Sequence, residues 1–412
     1  MTSGLVIAAP SSGSGKTVIT LGLLRALRQA GLAVASLKAG PDYIDSAFHQ
    51  AASGRACRTM DVWGMRAETR QAQLAAVSGE ADLVLAEGVM GLFDGAADGT
   101  GSTADLAGWL GWPVVLVVDV RGQAGSAWAL IEGFASHRAD IDVVGVIFNR
   151  VSSPRHKRMI EATSGPASPL VLGWVPAYEG LLLPSRHLGL VQAGEQAGLE
   201  DWIDDAGRLI GGNVDLTALR GLARPAKVPV TSGGATCLEP LGQQMAIAWD
   251  EAFAFTYPHM LDGWRAAGAE LSFFSPLEDQ SPADDADGIF LPGGYPELHA
   301  GRLAGCGDFL DGLGRAAKRG AVIYGECGGF MVLGESLTDE GGMEFRMAGL
   351  LPHATSFARR RLALGYRQLV LAADGPLGGK GSRFRGHEFH YSTLSNDGDG
   401  DYLFDAADAE GA

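Results

Sequence analysis

The chain alternates short apolar runs with longer amphipathic ones, and this rhythm predicts its architecture. Leu5 to Ala9, Val34 to Lys38, Leu83 to Ala86, Val114 to Val118 and Val143 to Phe148 read as buried strands. Lys16 to Gln29 and Arg66 to Val77 carry the helical period. Strands that are apolar on both faces and separated by helices imply a parallel sheet covered on both sides. From about Gly211 to Gly242 the pattern weakens, and "RPAKVPVTSGGATCLEP" holds three prolines among small polar residues. That composition predicts an exposed linker over 211–243. Order resumes with "MAIAWDEAF", "AELSFFSPL", "GIFLPGG" and "AVIYGE", again short strands between helices. The expected architecture is α/β, with two tandem domains at 1–210 and 244–412.

Composition narrows the function. The 412 residues are 46% hydrophobic, enough for a core in each of two domains, and the net charge of -16 leaves no basic stripe to neutralise nucleic-acid phosphates. Apolar runs such as Pro113 to Val118 fall far short of the roughly 20 residues that cross a bilayer. The chain enters directly into "GLVIAAP" without a basic leader, and its four cysteines show neither metal spacing nor disulfide density. A reducing cytoplasm is the expected compartment.

Residues 10 to 17 read "PSSGSGKT" between a strand and a helix. Pro10 replaces the usual first glycine of a phosphate loop; Gly13, Gly15, Lys16 and Thr17 match it. Such a loop aims successive backbone N–H groups at phosphate oxygens and adds the partial positive charge of a helix start. Lys16 is expected to reach the terminal phosphates of ATP and Thr17 a magnesium ion. Carboxylates follow the next strands: Asp42 and Asp45 in "LKAGPDYIDSAFH", Glu87 and Asp94 in "LVLAEGVMGLFDG". Ligands of parallel sheets bind at strand ends, so Asp45 and Glu87 are the preferred magnesium partners of Thr17, with Asp42 nearer substrate. A single Asp usually caps a helix or faces solvent, a plainer role open to each of the four, and Asp42 and Asp94 rank behind Asp45 and Glu87. Asn149, after "GVIF", is a candidate to read the adenine edge.

Cys327 lies in "VIYGECGGFMVL", a strand, a sharp turn and a helix. A thiol at a helix start is expected to have a lowered pKa and to serve as a nucleophile. The Gly328 amide, with Gly294 from "LPGGYPE", would supply an oxyanion hole. Most free cysteines are simply buried, and Cys57, Cys237 and Cys306 are assigned that role or mere exposure.

Taken in order, "APSSGSGKT", "LKAGPDYIDSAFH", "EGVMGLFDG", "LPSRHLGL", "DEAFAF", "LPGGYPELH", "YGECGGFM" and "RGHEFHYS" resemble the a,c-diamide synthases of cobalamin biosynthesis across nearly the whole chain. The resemblance implies a dethiobiotin-synthetase-like P-loop domain followed by a class I glutamine amidotransferase domain of flavodoxin-like fold. It implies amidation of the a and c acetate groups of cobyrinic or hydrogenobyrinic acid. ATP and Mg²⁺ are the expected cofactors, with no tightly bound redox cofactor. A corrinoid and glutamine are the expected partners, and a homodimer is allowed.

In this amidotransferase class the thiol's base is a late histidine beyond the "HEFHYS" motif, yet no histidine follows His390. Either the chain is truncated, which is the expectation, or His387 or His390 serves. Strand alternation would put those two on opposite faces, so at most one can point at Cys327. Arg186 and His187, with Arg359, Arg360, Arg361 and Arg367, are basic spots that could meet substrate carboxylates or be ordinary surface charge. Two rivals stand beside this reading: diamidation of another tetrapyrrole such as nickel-sirohydrochlorin, and a partitioning-type ATPase switch, which would have no use for Cys327.

Overall fold

A computed structural model describes residues 3–79, 81–181, 185–186, 189–229, 238–396 and 400–412. The chain divides into two compact units, Met1–Gly233 and Gly234–Ala412.

The first unit is built on seven parallel strands: β1 (Ser3–Ala8), β2 (Val34–Ala39), β3 (Arg58–Met60), β4 (Leu83–Glu87), β5 (Val114–Asp119), β6 (Val143–Val151) and β7 (Leu170–Pro176). Their order is β3-β2-β4-β1-β5-β6-β7. Helices α1 (Lys16–Gln29), α2 (Ile44–Ser53), α3 (Ala67–Ser78), α4 (Thr103–Leu110), α5 (Ser126–Ser136) and α6 (Pro154–Glu161) connect them. One sheet face, carrying Val6, Leu37, Val84, Leu116 and Phe148, packs on Leu74, Leu106, Trp128 and Ile160 from α3 to α6. The alternate residues Leu5 and Ile7 are equally inaccessible, as double coverage of a parallel sheet requires. A small hairpin pairs β8 (Ser185–Arg186) with β9 (Gly189–Leu190).

The first unit runs past the expected boundary at 210. Helix α7 (Leu199–Asn213) crosses it, α8 (Leu216–Leu222) follows, and β10 (Arg224–Pro225) pairs antiparallel with β1, Ser3 opposite Pro225. Residues 211–225 are therefore not linker. Gly211 and Gly212 look like breakers, but the Gly211 backbone faces α1, where an added Cβ would sit 3.2 Å from Ala26 Cβ. Close helix approach, not a turn, calls for small residues here.

The second unit opens with β11 (Gln244–Ala248), β12 (Glu270–Phe274), β13 (Gly288–Leu291) and β14 (Val322–Gly325), parallel in the order β12-β11-β13-β14. Helices α9 (Pro258–Ala266), α10 (Ala300–Gly305), α11 (Gly307–Arg319) and α12 (Gly328–Leu333) accompany it. Strands β15 (Ser336–Thr338), β16 (Glu344–Arg346), β17 (Ala354–Ser356) and β20 (Thr393–Asn396) make a second sheet. A third sheet joins β18 (Ala363–Leu371), β19 (Arg383–His390) and β21 (Phe404–Ala407). Both units are α/β, as the alternation predicts. Among the described residues no helix is long and apolar enough to cross a membrane.

Candidate functional site

The first unit gathers its chemistry at the C-terminal ends of β1, β2 and β4. Thr17, at the start of α1, donates its hydroxyl to Glu87 Oε1 at 2.8 Å and lies 3.4 Å from Asp45 Oδ2. Lys16 Nζ is 3.8 Å from the same Glu87 oxygen. The sequence reading missed a fifth member. Lys38 Nζ bonds Asp45 Oδ2 at 2.5 Å and Glu87 Oε1 at 2.9 Å, with Asp42 Oδ2 at 3.7 Å. A lysine inside the buried strand "VASLKA" was the available signal, since lysine is almost never fully buried unless paired. His49, one turn after Asp45 on α2, was also missed; its Nε2 lies 2.6 Å from Glu87 Oε2.

Charge complementarity outweighs burial in this cluster. Burial disfavours the Lys38 cation, but Asp45, Glu87 and Asp42 hold its pKa well above the ordinary value. Burial likewise opposes ionised Glu87, and Lys38, His49 and Lys16 override it, holding the carboxyl well below its usual range. For His49 burial is again opposed, by contacts with Cys57 and Glu87, and the ring is pushed up to about 10. Burial and the Lys38 charge lower Lys16. Asp42 is raised to about 6 by burial and the Asp45 charge.

Asp45, Glu87 and the Thr17 hydroxyl form an all-oxygen set at the loop, the donor chemistry magnesium prefers when phosphate oxygens and water complete the shell. Among the described residues no cluster of three His, Cys, Asp or Glu side chains could hold an ion by itself. Asp94 accepts the Gly91 N–H at 2.8 Å, a local turn bond. Asp42 accepts the Asp45 N–H at 3.1 Å at the start of α2. Gly13 and Gly15 both have positive φ, 80° and 88°. Asn149 lies beside the loop with its amide nitrogen donating to Ser14 O at 2.9 Å, rather than standing clear at an open edge. A cavity of about 560 Å³ borders the loop between Pro10–Ser14 and Asp119, Arg121 and Gln123. The Arg186 side chain and His187 lie outside the described residues.

In the second unit Cys327 occupies a strained turn, with φ 47° and ψ -109°, between β14 and α12. Left-handed backbone is costly for a residue with a Cβ and persists where surroundings enforce it. The enforcement is visible: a Cβ on Gly329 would fall 1.9 Å from Leu291 O, so only glycine lets the helix start against β13. The backbone N–H groups of Gly328 and Gly294 lie near the Cys327 sulfur and act to lower its pKa. Their convergence is tight, since a Cβ on Gly328 would lie 3.1 Å from Gly294 N.

The expectation of a lowered thiol pKa is corrected. Burial pushes Cys327 up to about 11, the Gly328 and Gly294 N–H groups pull it down, and the charges of Glu297 and Glu326 add to the rise.

His387 and His390 sit on β19, opposite Tyr366 and Ala363 of β18. Both His390 nitrogens are engaged, Nε2 with Glu388 Oε1 at 2.8 Å and Nδ1 with Ser392 O at 3.1 Å. Arg367 pairs with the other Glu388 oxygen, and Arg360 with Glu340. His390 thus belongs to a half-buried network with Glu388 and Arg367. Burial lowers His387 to about 4, so it is neutral at pH 7.

Residues 5–190 match the CobQ/CobB/MinD/ParA nucleotide binding domain, and residues 244–412 the CobB/CobQ-like glutamine amidotransferase domain. Hydrogenobyrinate a,c-diamide synthase of Brucella abortus is 52% identical over 99% of this chain and 93% of that protein. Its counterpart in Rhizobium meliloti is 50% identical over 99% and 94%, and that of Rhodobacter capsulatus 51% over 99% and 94%. Among solved structures, the septum site-determining protein MinD complexed with Mg-ADP from Pyrococcus horikoshii is 16% identical, with a TM-score of 0.32 over 51% of this chain and 93% of that one. Identity of about half along the whole length, with both domains in order, places the chain in the hydrogenobyrinate a,c-diamide synthase family.

Proposed function

We propose that this chain amidates the a and c acetate carboxylates of hydrogenobyrinic acid, with ATP as activator and glutamine as nitrogen donor. The observation that carries the reading is the union, in one chain, of a phosphate loop closed by Thr17 on Glu87 and a strained cysteine turn with two backbone N–H groups near its sulfur. A carboxylate is a poor acyl group because its carbonyl is already electron-rich. Attack of its oxygen on the ATP γ-phosphorus forms an acyl phosphate and releases ADP. Ammonia then attacks the acyl carbon and phosphate departs. The loop N–H groups and Lys16 hold the phosphates, and Lys38 supplies a fixed positive charge beside them; this is positioning and charge neutralisation. Thr17, Asp45 and Glu87 would hold a magnesium ion, which when bound neutralises phosphate charge.

Ammonia comes from glutamine. The Cys327 sulfur attacks the side-chain amide carbon, ammonia leaves, and water hydrolyses the glutamyl thioester to glutamate. The N–H groups of Gly328 and Gly294, which lie near the sulfur, would bind the oxyanion of each tetrahedral intermediate. The test is an amidation assay with hydrogenobyrinic acid, cobyrinic acid and nickel-sirohydrochlorin side by side, with ATP and glutamine, read by mass spectrometry. The expected result is diamide from hydrogenobyrinic acid. Product from nickel-sirohydrochlorin alone would overturn the substrate assignment.

A further inference from the structure

Two consecutive residues at the end of β6 fasten the phosphate loop from behind. Asn149 Nδ2 donates to Ser14 O at 2.9 Å, and Arg150 Nη1 donates to Gly13 O at 2.8 Å. They are themselves fixed. The Arg150 backbone N–H donates to Asn149 Oδ1 at 2.9 Å, and Arg150 Nη1 also bonds Asp119 Oδ2 at 2.6 Å. Asp119 is held in turn by the Arg121 backbone N–H at 3.0 Å and by its guanidinium. Burial works against ionised Asp119, but the bonds from Arg121 and Arg150 keep its carboxyl below the usual range.

The geometry has a directional consequence. In a trans peptide the carbonyl of one residue and the N–H of the next point in opposite directions. Holding Gly13 O and Ser14 O toward β6 therefore turns the N–H groups of Ser14 and Gly15 the other way, toward the space the loop encloses. Those are the donors a phosphate nest uses. Asn149 also presses against the loop: a Cβ on Gly15 would lie 2.3 Å from its Nδ2. Arg150 has φ 61°, in the left-handed region that a bulky residue avoids. Such an outlier persists where the surroundings over-determine it.

We propose that Asn149 and Arg150, backed by Asp119, are positioning residues that aim the loop's N–H groups at the triphosphate. The proposal rests on the reading of this loop as the ATP site. It gives Asn149 a role at the phosphates instead of at the base.

The experiment compares Mg-ATP with inorganic tripolyphosphate, titrated calorimetrically into the full chain and into Asn149→Ala, Asn149→Asp, Arg150→Gly and Arg150→Lys variants, with thermal melting alongside. Each variant should weaken both ligands by the same factor, about 10-fold for loss of one such bond. Asn149→Asp should lose more than Asn149→Ala, because a carboxylate oxygen would face the Ser14 carbonyl. Arg150→Lys should recover part of the loss. Arg150→Gly should melt near the parent temperature, since glycine takes φ 61° freely, and it keeps the test open where another variant fails to fold. A loss confined to ATP, with tripolyphosphate unaffected, would assign Asn149 to the base and overturn the proposal. So would unchanged affinity in all four variants while Lys16→Ala binds poorly. If Lys16→Ala binds ATP as tightly as the parent, the nucleotide reading of the loop fails first.

Discussion

Lys38 and Glu87 face each other across adjacent parallel strands, with Lys38 Nζ 2.9 Å from Glu87 Oε1 and both side chains buried. The lysine is the counter-charge for two carboxylates at once, since Asp45 shares it. Removing one partner of a buried pair costs about 3–5 kcal/mol, because the other charge is left without compensation. Lys38→Met should therefore lower the melting temperature by about 5–10 °C as well as abolish amidation. Adding Glu87→Gln should recover part of the lost stability but none of the activity. A Lys38→Met chain that melts with the parent would show that the pair carries no such load.

The two half-reactions should separate by mutation. Cys327→Ala should lose glutamine-dependent amidation and keep ammonia-dependent amidation, because the acyl phosphate forms without the thiol. Lys16→Ala should lose both, since the phosphate loop is needed whatever the nitrogen source. Product formation with glutamine or with ammonium salts, on each variant, is the measurement. Substantial ammonia-driven product from Lys16→Ala would remove that residue from the nucleotide site.

Legibility in the sequence followed local signals. Helix α1 has the predicted bounds, because its apolar period and the glycine before Lys16 mark it sharply. The short strands β3 and β7 escaped notice: "RTM" is three residues long, and "LVLGWVP" holds a glycine and ends on proline. Lys38 and His49 escaped for a different reason. Their roles come from converging strand and helix ends, and Glu87 meets both only in three dimensions. The Cys327 turn was legible because its glycines are a steric requirement of the turn itself. Its pKa was not, because burial depends on how the surrounding chain packs.

His387 should tie stability to acidity. Burial depresses its folded pKa to about 4, against about 6.5 in an unfolded chain. Between those values the unfolded chain binds the extra proton, so stability rises with pH across the window. The contribution is fully present above pH 6.5 and lost as pH falls toward 4, about 3 kcal/mol. Thermal melting of the parent and of His387→Gln at pH 4.5, 5.5 and 7 should show a shallower pH slope in the variant. Parallel slopes would mean that His387 does not titrate in this window.

Cys327 should behave as a thiol, not a thiolate, before substrate binds. Burial holds its pKa near 11, and the nearby charges of Glu297 and Glu326 act in the same direction. Alkylation by iodoacetamide requires the thiolate, whose fraction grows tenfold per pH unit below the pKa. Modification of Cys327, followed by peptide mapping to separate it from Cys57, Cys237 and Cys306, should therefore rise about tenfold per unit from pH 7 to pH 9. Glu297→Gln removes one opposing charge, so alkylation at pH 8 should quicken in that variant. Adding glutamine should slow alkylation by occupying the site. A rate that is already flat at pH 7 would show a low-pKa thiolate, and the two N–H donors would then outweigh burial.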